Sequence, residues 1–390
     1  MENSEISKKT LAPSPGPYKI WGSDLIEANT IEQMETAMRI PPAIRGALLP
    51  DAHLGYALPI GGVILLENAI SPSYIGYDIS CMMMLSIFDL RVEDFEKHRE
   101  DFAHSLRKST YFGIGRGPNK YDHPVMDDKR WRVSKTIGKV KAKALNQLGT
   151  SGGGNHFADL MKVELEDREA IGLLTHSGSR GAGHNLATAY VNLAAKETQR
   201  SATGIPKAHG WLRLDSDAGR EYLAAMQLMG DYAYANHELI HAEFARNAAL
   251  EVREMMWNRH NFAWVTEDGI IHRKGATPAR EGQIGLIPGS SGATSYIVEG
   301  KGHPESLFSS SHGAGRPFSR TQAKKQHQPD AFRAHMRRKD VLHFGITPDE
   351  TFAAYKDINE VMARQEDLVQ VIGRMEPRVV VMGGKADDGD

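Results

Sequence analysis

Clustered glycines constrain this chain more than any other feature of its sequence. The chain has 38 glycines in 390 residues, and many of them lie in five separate groups. These groups cover residues 55–62, 149–154, 178–183, 282–302 and 313–315. Glycine is favoured where the backbone must adopt a positive φ or approach a ligand closely. Because most groups have a histidine or an aspartate beside them, the sequence predicts one site that is assembled from loops along the whole chain.

The bulk composition is typical of a soluble globular protein, with 41% hydrophobic and 25% charged residues. A net charge of −2 provides no global basic field, although it leaves room for a local basic groove. Cys81 is the only cysteine, so an intramolecular disulfide is excluded and a reducing compartment is indicated. We find neither an apolar run of membrane-spanning length nor a signal-peptide pattern, and we expect a cytoplasmic protein without a membrane partner.

Apolar periodicity predicts a single large α+β domain with a central β-sheet core and a helical insertion at about residues 185–257. Helical spacing runs through residues 185–200 and 221–257, and we also expect a helix over residues 351–364. Residues 83–88 are typical of a buried strand, and residues 262–271 of a hairpin around Asp268-Gly269. The expected organisation is a flexible N-terminal arm (1–17), the main domain (18–383) and an acidic tail (384–390).

Five potential metal ligands lie near the glycine groups or near other loop segments: Asp78, Cys81, His156, His176 and His260. A thiolate, a carboxylate and several imidazoles suit Mn, Fe, Co or Zn better than Mg or Ca. The set exceeds the needs of one tetrahedral site and would permit two ions.

Basic residues near glycine or serine turns are candidates for binding phosphate. They are Arg180, Arg273, Lys274, Arg280, Arg316, Arg320, Lys324 and Lys325. Each residue also has an ordinary interpretation, because buried cysteines usually pack, single histidines are usually structural, and loop cations are usually solvated. From the residues alone we therefore predict a metal and phosphate site whose chemistry is open.

Two further patterns indicate other functions. His237-Glu238-Leu239-Ile240-His241 matches the H-E-x-x-H pattern of zinc proteases, with His260 as a third ligand, although such short patterns arise by chance. The glycine-rich run 149–154 lacks the Lys-Ser or Lys-Thr of a phosphate-binding P-loop and does not fit the dinucleotide-binding fingerprint.

The sequence resembles the RtcB family of RNA-splicing and RNA-repair ligases in eight motifs, which occur in the family's order along nearly the whole chain. The motifs lie at residues 50–55, 76–81, 148–157, 176–181, 273–276, 287–290, 311–319 and 355–359. The resemblance implies joining of an RNA 2′,3′-cyclic phosphate or 3′-phosphate end to a 5′-hydroxyl end, in RNA repair or tRNA splicing. It implies two Mn²⁺ ions, GTP, a histidine–GMP intermediate and, as a further partner, an activating protein.

The resemblance also implies roles for individual residues. His312 matches the nucleophile, and Asp51 matches an acidic residue near the metals that could help to deprotonate the 5′-hydroxyl. Asp78, Cys81, His156, His176 and His260 match the metal ligands. Nucleotide-binding positions are matched by Asn155, Asp159, Ser290, Ser295, Gly313, Ala314, Gly315 and Tyr355. Four basic residues are expected to bind RNA phosphates: Arg180, Lys274, Arg316 and Arg320.

Three positions depart from the family's pattern. Met82-Met83-Met84 follows Cys81, where the family usually has glycine, and Asp159 replaces the usual glutamate. Met382 stands where the family commonly has a lysine that contacts guanine, and Lys385 lies three residues later. These departures favour a divergent repair branch with less secure guanine specificity. The altered C-terminus motivates one alternative, a non-catalytic RNA-end-binding repair protein. The H-E-x-x-H pattern leaves a second alternative, a zinc protease acting through His237, Glu238 and His241.

Overall fold

The structure is a computed structural model that describes residues 10–113, 115, 117, 121–326 and 328–384. Most of the predicted acidic tail, including Lys385, and the first nine residues of the predicted arm lie outside these ranges. In the described part of the arm, Ala12 N donates to Arg39 O (2.8 Å) and Gly16 N to Met38 O (3.0 Å). No helix in the described part of the chain combines the length and apolar composition that a membrane crossing requires.

The secondary structure mixes helices and strands, in agreement with the predicted mixed fold. The strands, labelled β1 to β17 in chain order, are Tyr18–Ile20, Ala43–His53, Ile60–Leu66, Ala69–Ile70, Met82–Phe88, Phe157–Leu165, Glu169–Ser177, Leu212–Arg213, Val252–Arg259, Asn261–Thr266, Gly269–Lys274, Ala276–Pro278, Ile284–Ile287, Ser295–Gly300, Ser309–Ser311, Leu342–Phe344 and Val369–Met382. The α-helices, α1 to α10, are Ala28–Ala37, Val92–Lys97, Arg99–Ser109, Lys135–Gly138, Lys141–Gln147, Arg180–Ser201, Asp217–Asn247, Arg320–Gln326, Pro329–Arg338 and Ile358–Ala363.

An eight-stranded sheet forms the centre of the domain, in the order β13-β14-β17-β6-β7-β5-β9 with β16 beside β17. Its two ends approach each other, because Leu286 N on β13 donates to Asn258 Oδ1 on β9 (2.8 Å), so the sheet is nearly closed into a barrel. Every residue of β5 is buried, which explains why its sequence is apolar apart from Ser86. A five-stranded sheet, β1-β2-β3-β11-β10, contributes the β10–β11 hairpin that was predicted around Asp268-Gly269.

Two helix predictions were wrong in extent. The helix predicted over residues 221–257 ends at Asn247, where Ala249 follows at φ 54°, and residues 252–259 form strand β9. Exposure along β9 alternates residue by residue. The apolar residues of this segment fit the period of a helix as well as that of a strand, and pairing with the buried β5 makes it a strand.

The second wrong prediction concerns residues 351–364, of which only Ile358–Ala363 is α-helical. Asp357 caps this helix by accepting a hydrogen bond from Asn359 N. The preceding residues do not extend this α-helix, because Lys356 N donates to Gly315 O (3.0 Å) instead of to a helical carbonyl.

Helix α7 packs two buried histidines against the sheet. Thr175 Oγ1 on β7 lies 2.6 Å from His237 Nδ1 and 2.7 Å from His241 Nε2. Ser86 Oγ on β5 lies 2.7 Å from His241 Nδ1. Burial lowers the pKa of His237 to about 3 and that of His241 well below its usual value, so both rings are neutral. Thr175 is therefore the shared hydrogen-bond partner of two neutral rings in the core.

We predict that Thr175→Val lowers the free energy of unfolding by about 2–4 kcal/mol, because two buried ring nitrogens lose their partner while the shape is kept. Denaturant unfolding of the variant measures the change. The control is Thr188→Val on α6, whose hydroxyl donates to His184 O at an exposed position and should change stability by less than about 0.5 kcal/mol. Equal stability of the Thr175 variant and the wild type would contradict the prediction.

Candidate functional site

A cavity of about 400 Å³ takes its lining from segments that are far apart in the sequence. The predicted site residues that line it are Asn155, Asp159, His176, His260, Ser290, Ser295, His312, Gly313, Ala314, Gly315, Arg316, Arg320 and Tyr355. The remaining predicted residues lie outside the lining: Asp51, Asp78, Cys81, His156, Arg180 and Lys274. The glycine groups 55–62, 282–302 and 313–315 thus contribute to one cavity, and a second group of predicted residues stands apart from the cavity surface.

Sheet topology explains why four candidate ligands meet. Cys81 directly precedes β5 and His156 directly precedes β6, whereas His176 lies at the end of β7 and His260 directly follows β9. Strands β6, β7, β5 and β9 are antiparallel neighbours in this order, so the start of one lies beside the end of the next. All four side chains are therefore placed at one edge of the sheet.

The ligand atoms of Cys81, His156 and His176 lie within 4.8 Å of one another, and all three residues are buried. Cys81 Sγ is 2.9 Å from His176 Nε2 and 3.6 Å from His156 Nε2. His260 Nε2 lies 3.2 Å from His176 Nε2, and Asp78 Oδ2 lies 2.9 Å from His156 Nε2. The two further ligands predicted from the sequence thus adjoin the same cluster.

Backbone carbonyls set the orientation of two of these imidazoles. His156 Nδ1 lies 2.6 Å from Ser151 O, and His176 Nδ1 lies 2.9 Å from Asn155 O. A carbonyl only accepts, so each Nδ1 carries a proton and each Nε2 faces the cluster. Burial lowers the pKa of His176 to about 3, which keeps this ring neutral.

The donor set fits a divalent transition-metal ion. Burial raises the pKa of Asp78, but the hydrogen bond and charge of His156 outweigh it and lower this pKa to about 2, so the carboxylate is ionised. His260 Nδ1 is buried and has no hydrogen-bond partner among the described residues. The cluster brings together one thiol, one carboxylate and three imidazoles. A borderline cation would coordinate these groups better than hydrogen bonds among them would satisfy them.

His312 is held by a buried aspartate at the edge of this cluster. Asp51 Oδ2 lies 2.6 Å from His312 Nδ1 and accepts from His312 N at 3.0 Å. Burial alone would raise the pKa of Asp51, but the charge and hydrogen bonds of His312 lower it. The ionised carboxylate keeps a proton on Nδ1, which leaves the lone pair on Nε2. The His312 ring lies 5.1 Å from the His260 ring, so the His312 side chain is adjacent to the candidate metal-binding cluster.

Gly315 holds the loop that follows His312 against Asp51. Its φ is 73°, and a Cβ atom there would lie 2.1 Å from Asp51 O. Any other residue would push the loop from residue 313 to 315 away from the strand that carries Asp51. The glycine at this position is thus required by close packing as well as by backbone conformation.

Two carboxylates that the sequence analysis missed neutralise the arginines of the cavity. Arg316 lies 2.7 Å from Glu350 Oε1, and Arg320 lies 2.9 Å from Asp349 Oδ2 and also contacts Glu350. Tyr355 donates to Glu350 and accepts from Arg316 Nη2 (2.7 Å). The only sequence signal was the pair of acids shortly before Tyr355, which a single sequence does not distinguish from surface charge.

Arg180 and Lys274 contact the protein's own backbone. Arg180 adopts φ 57°, donates to Gly113 O (3.2 Å) and lies 3.4 Å from His156 Nδ1. Lys274 Nζ donates to Leu58 O (3.0 Å) and also reaches Tyr56 O, and burial lowers its pKa to about 7. Their predicted contacts with RNA phosphates stay predictions.

Asp159 lies at an apolar end of the cavity, beside Met161, Pro377, Val380 and Met382. It accepts a hydrogen bond from Val381 N (3.3 Å), and burial raises its pKa well above the usual value. Met382, at the position where the family commonly has a lysine, also lines the cavity. The nearby Lys385 lies outside the described residues.

The zinc-protease hypothesis is not supported by the geometry. His237 and His241 face Thr175, whereas Glu238 lies at the surface, 3.1 Å from His123 Nε2. His260, the third ligand of that hypothesis, belongs to the cluster around His176. The two histidines are core residues, and the matching pattern is a coincidence.

Comparison with known proteins identifies the family. A family model described as tRNA-splicing ligase RtcB matches residues 33–383. The chain is 32% identical to the RNA-splicing ligase RtcB of Escherichia coli K12, over 92% of this chain and 96% of that protein. It is 29% identical to the tRNA-splicing ligase RtcB of Thermococcus kodakarensis, over 89% of this chain and 90% of that protein. The chain therefore belongs to the RtcB ligase family.

We predict that the affinity of the cluster for Mn²⁺ rises with pH. Burial and the nearby Asp78 charge raise the pKa of the Cys81 thiol well above its usual value, so the metal-free thiol is protonated at neutral pH. Binding must displace this proton, and the affinity should rise about tenfold per pH unit between pH 6.5 and 8.5. The lowered pKa values of His176 and His260 keep these rings neutral throughout the range.

Equilibrium binding of Mn²⁺ to the wild type and to Cys81→Ser measures this dependence. The serine keeps the shape but does not ionise, so we expect weaker binding and a flatter pH profile. Wild-type affinity in the serine variant would show that the thiolate is not a ligand.

Proposed function

We propose that this chain joins RNA 2′,3′-cyclic phosphate or 3′-phosphate ends to 5′-hydroxyl ends, using GTP and Mn²⁺, through a guanylate bound covalently to His312. The observation that carries the proposal is the pairing of His312 Nδ1 with the buried Asp51, 2.6 Å away. It leaves Nε2 as the only nucleophilic nitrogen of the ring, beside a cluster that fits a metal. RNA repair and tRNA splicing are the processes that need such joining.

In the first step, the lone pair of His312 Nε2 attacks the α-phosphorus of GTP. A phosphorus–nitrogen bond forms, the bond to the pyrophosphate oxygen breaks, and pyrophosphate leaves with that electron pair. His312 then carries a positive charge, which the carboxylate of Asp51 balances while it retains the hydrogen bond to Nδ1. A divalent ion at the cluster would neutralise charge on the phosphate oxygens.

In the second step, an oxygen of the RNA 3′-phosphate attacks the guanylate phosphorus, and the bond to Nε2 breaks. His312 recovers its lone pair, and the RNA end is activated by GMP. The 5′-hydroxyl oxygen then attacks the 3′-phosphate phosphorus, GMP leaves, and the hydroxyl proton passes to a base. A cyclic phosphate end must first be opened by water to a 3′-phosphate.

We assign the nucleotide to the 400 Å³ cavity beside His312. Asn155, Ser290, Ser295 and the loop from residue 313 to 315 supply polar groups and backbone there, and Asp159 supplies the polar group at its apolar end. Glu350 orients Arg316 and Tyr355, so these side chains would meet phosphate in fixed positions. For Asp51 we propose a positioning role rather than deprotonation of the 5′-hydroxyl, because its side chain is fully buried and bound to His312.

The proposal is tested by incubating the chain with α-³²P-labelled GTP and Mn²⁺, followed by mass analysis of the peptides. We expect a GMP adduct on His312 that is absent from His312→Ala, and joining of RNA with 3′-phosphate and 5′-hydroxyl ends. Parallel reactions with ATP and with Mg²⁺ measure the nucleotide and metal preference. Binding of RNA ends without adduct or joining would support the alternative of a non-catalytic repair protein.

We predict that Asp51→Asn slows formation of the adduct roughly 100- to 10,000-fold, the usual contribution of a group that controls a catalytic proton. The amide offers an N–H as well as an oxygen, and it no longer keeps the proton on Nδ1 or balances the charge on the ring. Rapid-quench measurement of adduct formation checks the rate. The control is Asp101→Asn at an exposed position of α3, and this variant should form the adduct at the wild-type rate.

A further inference from the structure

Three aromatic rings form an exposed ladder beside the metal cluster. The ring of Tyr77 lies 5.8 Å from that of Tyr56 and 5.3 Å from that of His184. The side chain of Tyr56 is 46% exposed, His184 is exposed, and Tyr77 is half-buried between them. Rings arranged in this way on a surface offer faces on which further planar groups can stack.

The ladder lies between the cavity and the start of α6. Tyr77 directly precedes the cluster residue Asp78, and Leu54, two residues before Tyr56, lines the cavity and is itself 51% exposed. At the other end, His184 lies in the first turns of α6, which begins at Arg180. A planar group on the ladder would therefore be close to the proposed reaction centre.

A basic segment continues from the far end of the ladder. Residues 129–143 contain seven lysines and arginines and no acidic residue, in a chain whose net charge is −2. The segment reaches α6 through Lys143, because a Cβ placed on Gly181 would lie 3.0 Å from Lys143 Cδ. Lys143 Nζ also lies 3.3 Å from the reoriented amide oxygen of Asn185, which follows His184.

Most of this positive charge is available to a partner. Arg130 pairs with Asp128 and Asp231. The other cations of the segment form no ion pair with any described residue: Lys129, Arg132, Lys135, Lys139, Lys141 and Lys143. All of these six except Lys141 are exposed, so the surface next to the aromatic rings carries positive charges that have no ion-pair partner among the described residues.

We propose that the aromatic ladder (Tyr56, Tyr77 and His184) and the basic segment 129–143 together bind the single-stranded end of an RNA and lead it to the cavity, which extends the ligase function proposed above. Aromatic faces accept any base, and cations bind the phosphates between the bases, which is the combination that single-stranded nucleic acid requires. Base faces are hidden in duplex RNA and absent from an acidic protein. Each of these partners would therefore contact the basic segment 129–143 and not the aromatic ladder.

The experiment measures binding of a fluorescent ten-nucleotide single-stranded RNA with a 3′-phosphate to the full chain by anisotropy at several salt concentrations. The stacking variant is Tyr56→Ala with His184→Ala, and the charge variant is Lys139→Ala with Lys143→Ala. We expect the stacking variant to bind at least about fivefold more weakly, since base stacking contributes about 1 kcal/mol or more per base. We expect the charge variant to reduce the slope of log affinity against log salt by up to about 1.4, or about 0.7 per phosphate contact.

Matched controls separate stacking and local charge from general effects. Tyr56→Phe with His184→Phe keeps the rings and should restore binding. Lys196→Ala removes an exposed cation about 18 Å further along α6 and should leave the affinity and the slope unchanged. Duplex RNA of the same length should respond to the charge variant and hardly to the stacking variant.

The proposal is overturned if both variants bind the single-stranded RNA as the wild type does. The proposal is also overturned if the stacking variant binds the RNA as tightly as the wild type does while polyglutamate displaces the RNA from the charged surface. That result would indicate an acidic protein partner. Adduct formation on His312 of the wild-type chain is measured separately. Its absence would refute the ligase function without affecting the binding result.

Discussion

The hydrogen bond between Asp51 and His312 is the interaction on which the proposed chemistry depends. A histidine is a useful nucleophile toward phosphorus only if one ring nitrogen keeps its lone pair while the other carries the proton. Asp51 is fully buried on β2 and contacts both the ring and the backbone of His312, so it sets the protonation and the position of the ring together. Gly315 makes this possible, because only a glycine lets the loop approach Asp51 O so closely.

The metal cluster depends on a different constraint, the alternation of strand direction in the eight-stranded sheet. Cys81, His156, His176 and His260 come from segments separated by up to 179 residues, yet they stand at one edge of four neighbouring strands. Backbone carbonyls of Ser151 and Asn155, in one glycine-rich loop, orient two of the imidazoles. The fold therefore supplies both the convergence of the ligands and the orientation of two of their rings.

Much of the site was predictable because its residue types are chemically unusual in glycine-rich surroundings, and because the motifs resemble a known family. The structure adds what neither source contained. Asp349 and Glu350 look like ordinary surface acids in the sequence, but they bind the arginines of the cavity. Arg180 and Lys274, which were predicted to bind RNA phosphates, also donate to backbone carbonyls of the protein itself. Such partners are decided by long-range packing, which leaves no local pattern.

By itself, the sequence determined the family, the mixed fold, the buried strand predicted at residues 83–88, the hairpin at Asp268-Gly269, and the residues from which a metal and nucleotide site could be built. The fold elements follow from local periodicity and turn chemistry, the metal and phosphate site from residue type, and the family and the nucleotide-binding residues from the resemblance of the motifs to a known family. Only the tertiary structure decided that residues 252–259 are a strand, that His237 and His241 are core residues sharing Thr175, and that Asp51 serves His312. Each of these depends on which distant groups become neighbours, because hydrogen bonding and burial act between segments that are brought together only when the sheets assemble.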